Sequence, residues 1–176
     1  SNTIEVFHYK GLLPVDVDVH HHDFYEVYMF LKGNAEYWIE GRRYVMAPGD
    51  FMLINPTELH RIIVSPDSTE YERIVLWINK DYVKSLSTEN TDLTKCFDMS
   101  RPGSVNIIHP IGSALSPLSR KITELADEYT ESLWGNDIAL EAIFLQFMIE
   151  LNRNSDISSH KTTKESEGSI VFNVLK

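Results

Sequence analysis

The stretch His20-His-His-Asp-Phe-Tyr-Glu26, followed by Gly33, decides the fold of this 176-residue chain. It contains the spacing H-x-H-x-x-x-E. Positions i, i+2 and i+6 of a β-strand lie on one face, so we expect His20, His22 and Glu26 to point together into a barrel. His60, which follows a Pro-Gly-Asp turn and an Asn-Pro corner, is a fourth candidate. Imidazoles and a carboxylate form a ligand set that suits Zn, Ni, Fe or Mn.

Short β-rich runs extend from this stretch to about residue 79. Turn residues separate them, and no helical pattern lies between them. The runs are residues 24–31, 35–39, 43–46, 51–54, 59–64 and 71–78. About seven strands at such spacing predict an antiparallel barrel or sandwich.

Helical periodicity replaces this pattern after Pro110. Ser116-Pro117 is typical of a helix start, and a second helix is predicted after Asn136. The second helix is apolar over much of its circumference. We therefore expect one side to pack on the barrel and another, including Leu140 or Phe144, to contact a second subunit.

Composition divides the C-terminal part of the chain. Residues 153–169 are almost entirely polar and predict a flexible linker, whereas residues 170–176 begin a new apolar helical face. We therefore predict a barrel at 1–110, a helical pair at 111–152, a linker at 153–169 and the truncated start of a further domain at 170–176.

The charge balance limits what this chain can bind. Lys and Arg number 16 against 26 Asp and Glu, which gives a formal charge of -10 and a pI of about 5.1. A body with this charge repels phosphate backbones, so we expect no DNA binding by these residues alone. The single cysteine, Cys96, excludes an internal disulfide and suits a reducing cytoplasm. No apolar run reaches the roughly 18 residues of a membrane span, so no membrane partner is expected.

The motifs resemble those of the cupin superfamily. Residues 20–33 match its H-x-H-x(3,4)-E-x(6)-G motif, and residues 41–60 match its second motif more loosely, with Asn55, Thr57 and Val64 at positions where many cupins have other residues. The resemblance implies a mainly β fold with C-terminal helices, namely a cupin-type double-stranded β-barrel, or jelly roll, followed by a two-helix dimerisation segment.

A narrower resemblance is to the N-terminal sensor domain of AraC-type transcription regulators. It is carried by His22-Asp-Phe-Tyr-Glu-Val, Gly41-Arg-Arg-Tyr, Pro48-Gly-Asp-Phe-Met-Leu-Ile-Asn-Pro and Glu58-Leu-His-Arg61. The resemblance implies a small effector in the barrel, a homodimer formed through the helices, and DNA binding only through a C-terminal helix-turn-helix domain that these residues lack. It also implies no catalysis and no required cofactor.

The candidate effector-binding residues combine aromatic rings with polar groups. They are His20, His22, Glu26, Tyr28, Trp38, His60 and Arg73. Either Trp38 or Tyr37 is expected to line its strand, since a bulge would reverse the parity. Aromatic rings stack on the C–H face of a sugar while the polar groups meet its hydroxyls, so a sugar is the favoured effector, with an aromatic acid or another small metabolite as alternatives.

A metal-dependent cupin enzyme, such as a dioxygenase or an isomerase, is the alternative. In that case His20, His22, Glu26 and His60 would hold a metal with open positions for substrate. The loose second motif and the polar segment before residue 170 favour the sensor over the enzyme.

Overall fold

The computed structural model describes residues 2–11 and 17–174, with side chains as far as residue 158. The described residues form eight strands and three α-helices. Seven strands precede the first helix, and the eighth strand lies between the first and second helices. The strands are β1 (Ile4–Lys10), β2 (Tyr25–Lys32), β3 (Ala35–Ile39), β4 (Arg42–Val45), β5 (Phe51–Ile54), β6 (His60–Val64), β7 (Glu72–Ile78) and β8 (Ile107–Ile108). The helices are α1 (Lys80–Leu86), α2 (Pro117–Thr130) and α3 (Asn136–Val174).

The strands form two antiparallel sheets. The larger has the order β1-β7-β2-β5-β8, and the smaller has the order β4-β3-β6. Helices α2 and α3 follow the last strand, and α2 contacts both β1 and β7 of the larger sheet. The predicted fold class, mainly β with C-terminal helices in a cupin-type barrel, is confirmed.

The larger sheet is buried on both faces. Along β2, Tyr28 and Phe30 enter one apolar cluster, between the sheets, while Val27 and Met29 enter the other, beneath the helices. This double burial explains why the sequence of β2 is nearly continuously apolar instead of alternating with polar residues. The cluster between the sheets, which also includes Tyr37, Met52 and Tyr71, is called the barrel interior below.

A glycine closes the hairpin between β2 and β3. Gly33 has φ +116°, and a Cβ atom there would lie 2.4 Å from the carbonyl oxygen of Glu70. Backbone atoms cannot move aside as a flexible side chain can, so only glycine fits. The motif glycine is therefore structural.

Helix α2 begins where the sequence predicts. The Ser116 hydroxyl accepts a hydrogen bond from the backbone N–H of Ser119 at 3.0 Å, and Pro117 occupies the first helical turn. Leu118, Ile122 and Leu125 are buried in the cluster beneath the helices. These contacts fix the helix on the larger sheet.

The expected position of Leu140 and Phe144 in a subunit interface is wrong. Phe144 is 0% exposed, and Leu140 packs against the same cluster beneath the helices. Both side chains point inward because this stripe of α3 covers α2 and the larger sheet. The exposed apolar side chains of α3 lie on another face, which includes Ile138 and Ile149.

The backbone at residues 153–169 differs from the predicted flexible linker. It continues α3 as a helix, which extends to Val174. Residues 153–167 contain neither proline nor glycine, so no residue there ends the helix. The division of function among these segments stays a prediction, and residues 175 and 176 lie outside the described part.

Helix α1 has no counterpart in the sequence prediction. The Asn79 side chain caps it by accepting a hydrogen bond from the Tyr82 N–H at 3.0 Å, and Asp81 lies in its first turn. An Asn followed two residues later by an acidic residue was the available signal. Within residues 2–11 and 17–174, no helix combines the length and apolar composition required to cross a bilayer.

Candidate functional site

Two histidines and one glutamate meet in the structure. One ligand atom from each of His22, Glu26 and His60 lies within 4.8 Å of the others. Glu26 belongs to β2, His60 is the first residue of β6, and His22 precedes β2. The two sheets therefore both contribute to this cluster, which we call the His-Glu cluster.

His22 reaches the cluster by a route that the strand argument did not predict. Strand β2 begins only at Tyr25, so positions 20, 22 and 26 do not belong to one continuous strand. His20 instead pairs with His60 through two backbone hydrogen bonds of 3.1 and 2.9 Å. The chain then bends, and the His22 ring stacks on the Phe24 ring at 3.9 Å between centroids.

Backbone carbonyls fix the tautomers of both histidines. His22 Nδ1 lies 2.9 Å from the carbonyl oxygen of Phe24, and His60 Nδ1 lies 2.8 Å from that of Glu58. A carbonyl can only accept, so each Nδ1 carries the proton and donates. In the neutral form, each Nε2 then presents a lone pair. Both Nε2 atoms are buried without a hydrogen-bond partner among the described residues.

Two donors hold the Glu26 carboxylate. Tyr37 donates its hydroxyl to one oxygen at 2.8 Å, and Trp77 donates its indole N–H to the other at 2.9 Å. Burial raises the pKa of Glu26, but the contacts with His22, His60 and Tyr37 outweigh burial and leave that pKa below its ordinary value. Burial and the Glu26 charge raise the pKa of Tyr37, so its hydroxyl stays protonated.

Two electron-rich groups face each other within the cluster. The Nε2 atom of His22 lies 3.3 Å from a Glu26 oxygen, although a neutral imidazole with Nδ1–H would present a lone pair to that carboxylate. A bound cation would remove this repulsion. Burial also lowers the pKa of His60 and so favours its neutral form, which is the form that binds metal.

A divalent transition metal fits these residues. Two free imidazole nitrogens and a carboxylate are suitable ligands, and each histidine is oriented by a hydrogen bond from its other nitrogen, as metal-binding histidines usually are. His22, Glu26 and His60 would hold the metal. His20 is not part of the cluster: its ring is exposed and its Nδ1 bonds to the carbonyl of Asp18.

The remaining predicted site residues are Tyr28, Trp38 and Arg73, and they do not all face the barrel interior. Tyr28 and Arg73 face the barrel interior, but the prediction for Trp38 is wrong. Trp38 lies on the outer face of β3, where it donates to Glu36 at 2.8 Å, and Tyr37 takes the inward position. The two aromatic neighbours have opposite parity, and the hairpin geometry at Gly33 decides which one points inward.

Two interior residues that hold Glu26 were absent from the predicted site. Tyr37 was the alternative to Trp38, whereas Trp77 was not among the predicted site residues. Their hydrogen bonds to Glu26 required knowledge of the register, in which Glu26 lies opposite Trp77. No pattern in the sequence specifies that register.

Solved structures with detectable similarity include cupin-fold proteins. A cupin protein from Bacteroides fragilis is 23% identical with a TM-score of 0.41, covering 51% of this chain and 75% of its own. A cupin barrel protein from Salinispora arenicola is 23% identical with a TM-score of 0.40, covering 48% and 71%. A DMSP lyase from Ruegeria pomeroyi is 23% identical with a TM-score of 0.38, covering 46% of this chain and 40% of the lyase.

Sequence comparison gives the more specific result. A search of curated protein sequences found no significant match. Residues 14–154, however, match the family described as the AraC-like ligand binding domain. This match includes the His-Glu cluster, the barrel interior and the first half of α3. The chain therefore belongs to the family of AraC-like ligand binding domains.

Proposed function

We propose that this chain is the effector-sensing domain of an AraC-type transcription regulator in the cytoplasm. A small metabolite binds in the barrel interior without being chemically changed, and a helix-turn-helix domain outside these residues reads the DNA. Effector binding shifts the equilibrium between two conformations, and the helices pass that bias to the DNA-binding domain.

The observation that carries this proposal is the set of unpaired polar atoms at the barrel. His60 Nε2 and Arg73 Nη1 are buried and have no hydrogen-bond partner among the described residues, and His22 Nε2, although it lies 3.3 Å from a Glu26 oxygen, does not meet hydrogen-bond geometry there. An unsatisfied buried polar group costs about 1–3 kcal/mol. Three such atoms in one barrel are expected where a ligand completes their hydrogen bonds.

A sugar-like metabolite matches the mixture of groups in the interior. Tyr28, Tyr37 and Trp77 supply aromatic rings, while Glu26 and Arg73 supply charged hydrogen-bonding groups. Rings of this kind pack on the C–H face of a pyranose, and carboxylates accept hydrogen bonds from its hydroxyls. Sugars and their derivatives are therefore the first class of effector to test.

Helix α3 supports a homodimer. Ile138, Ala142, Leu145 and Ile149 recur at helical spacing, and all except the half-buried Leu145 are exposed. We call them the α3 stripe. An exposed apolar stripe on a helix is typical of a helix–helix interface between subunits. We propose that two copies of the chain pair through this stripe.

Glu26→Gln is expected to weaken effector binding by at least about tenfold. The substitution preserves the shape of the side chain but replaces a charged acceptor, and hydrogen bonds to charged groups contribute about 1.5–3 kcal/mol. A thermal-shift screen of sugars, sugar acids and small aromatic acids would identify a binder, and calorimetry would then compare the variants.

Glu36→Gln is the matched control for this experiment. Glu36 lies on the outer face of β3 and pairs with Arg43, so its substitution should leave the affinity unchanged. Equal affinities for wild type and Glu26→Gln would place Glu26 in the framework of the barrel instead of in the effector site.

The His-Glu cluster favours one second candidate, a metal-dependent enzyme. His22, Glu26 and His60 would leave coordination positions of a metal open to substrate, and the metal would supply Lewis-acid chemistry there. Stoichiometric metal in protein that was never exposed to a metal resin, together with turnover of a substrate, would favour the enzyme.

A further inference from the structure

Arg73 is a buried arginine that forms no ion pair with any residue whose side chain the structure describes. It is 8% exposed, and its Nη1 atom is buried without a hydrogen-bond partner. Other arginines of the described part, such as Arg43, Arg101 and Arg153, each contact a carboxylate. None of the ion pairs among the described residues includes Arg73.

Two tyrosines hold the guanidinium group by their rings. The centroids of the Tyr9 and Tyr71 rings each lie 4.3 Å from Arg73 Cζ. Such cation–π contacts fix the position of a guanidinium, but they do not satisfy its N–H donors, which lie in the plane of the group. The arrangement therefore orients Arg73 and leaves its hydrogen-bonding edge available.

The carboxylates buried in the described part of the barrel are already engaged elsewhere. Glu26 accepts hydrogen bonds from Tyr37 and Trp77, and Asp50 accepts from His109 at 2.6 Å and from the Ala47 N–H at 2.7 Å. An isolated charge is costly to bury, and the residues whose side chains the structure describes supply no carboxylate that pairs with Arg73.

Arg73 also faces the same space as the proposed effector site. Side chains of residues 71–77 point alternately into the barrel interior and into the cluster beneath the helices. Arg73 points into the barrel interior, as do Tyr71, Val75 and Trp77. The hydroxyl groups of Tyr71 and Tyr28 contact each other in this interior. An anion at Arg73 would therefore lie near the hydroxyl groups of these two tyrosines.

We infer that Arg73 is the anion-binding residue of the effector site and that the effector carries a carboxylate. This inference rests on the proposed function and specifies its ligand class. A carboxylate is planar and accepts two parallel hydrogen bonds from the guanidinium fork, which a neutral hydroxyl cannot do. A hydroxylated carboxylic acid, such as a sugar acid, then satisfies both Arg73 and the polar groups around Glu26.

The first test measures the effect of a simple anion on thermal stability. Sodium acetate, compared with sodium chloride at equal ionic strength, should raise the Tm of the wild-type chain by about 2–4 °C, because it binds only the folded state. Arg73→Met should remove this difference without lowering the Tm in chloride, since an uncompensated charge is removed. Loss of stability in Arg73→Met, with no effect of acetate on wild type, would show a structural arginine and overturn the inference.

The second test uses matched acid and neutral ligands. Calorimetry would compare D-glucuronate with D-glucose, D-galacturonate with D-galactose, and inorganic phosphate as a second kind of anion. We expect an acid to bind in preference to its neutral partner and to phosphate, and Arg73→Met to lose about 10- to 100-fold in affinity. Arg73→Lys keeps the positive charge but cannot donate two parallel hydrogen bonds, so it should bind the acid with intermediate affinity. It also tests the inference if Arg73→Met fails to fold.

The outcomes separate this inference from the proposed function. Equal binding of a neutral sugar by wild type and Arg73→Met would overturn the carboxylate inference and leave the sensor intact. Preference for phosphate over every acid would overturn the carboxylate as the ligand group. Binding of no compound in the set, with no effect of acetate, would contradict the inference, while the wider screen with Glu26→Gln would still test the sensor.

Discussion

Phe144→Asp is expected to unfold the protein. The Phe144 ring is 0% exposed and stacks on Tyr82 with 5.7 Å between centroids, within the cluster beneath the helices. Loss of a buried phenylalanine costs about 3–5 kcal/mol, and burial of a carboxylate adds a further cost. A domain of this kind is stable by only about 5–15 kcal/mol. Circular dichroism and urea titration would measure the loss.

Ile138→Asp is the matched variant on the same helix. Ile138 belongs to the α3 stripe and is 73% exposed, so the substitution should leave the circular dichroism spectrum and the Tm nearly unchanged. In a dimer that uses the stripe, the same substitution buries a charge at the interface and should raise the dimer dissociation constant by at least about tenfold. Sedimentation would measure this.

Two results would contradict this account of α3. A folded Phe144→Asp variant with the wild-type Tm would show that the helix does not pack as described. An unchanged dimer in Ile138→Asp would remove the α3 stripe from the interface. The pair of variants therefore separates folding from association on a single helix.

Substitution of the His-Glu cluster is expected to have the second large effect. The wild-type chain should bind one Zn²⁺ per chain, and His22→Ala or His60→Ala should lower the affinity by about 100-fold, because each removes one of the few available ligands. Calorimetry with zinc chloride, on protein prepared without a metal resin, would measure this.

His21→Ala is the control for the metal experiment. His21 is exposed, so this variant should bind zinc within about threefold of wild type, whereas the His20 ring packs on His60 with 4.4 Å between centroids and is not an independent control. Wild-type affinity in His22→Ala would show that the cluster does not bind metal. Absence of stoichiometric metal from the protein as isolated would remove the enzyme alternative, whatever the affinity for added zinc.

The strand pattern allowed part of the barrel interior to be predicted. Inward positions of Glu26, Tyr28 and Phe30 follow from the period of two along β2, and the structure confirms them. The single cysteine, Cys96, is free and buried, and burial raises the pKa of its thiol. These predictions depend only on local periodicity or on residue type.

The rest of the site depends on geometry that the sequence pattern does not contain. Trp38 and Tyr37 are adjacent aromatic residues, so hydrophobicity alone cannot decide which one points inward. His20 and His22 lie in a bridge and a bend before β2, where strand parity does not apply. Among the described residues, no buried acid pairs with Arg73, and only the three-dimensional structure can show this.

Trp77 gives the most direct test of binding in the barrel. Among the three tryptophans of the chain, Trp77 alone donates to Glu26, whereas Trp38 lies on the outer face and Trp134 is fully exposed. Trp38→Phe combined with Trp134→Phe therefore leaves a single fluorescent reporter beside the proposed site. Titration of this variant with a metabolite from the screen should change Trp77 emission saturably, at one molecule per chain. A metabolite that binds by calorimetry but leaves Trp77 emission unchanged would contradict an effector site in the barrel interior.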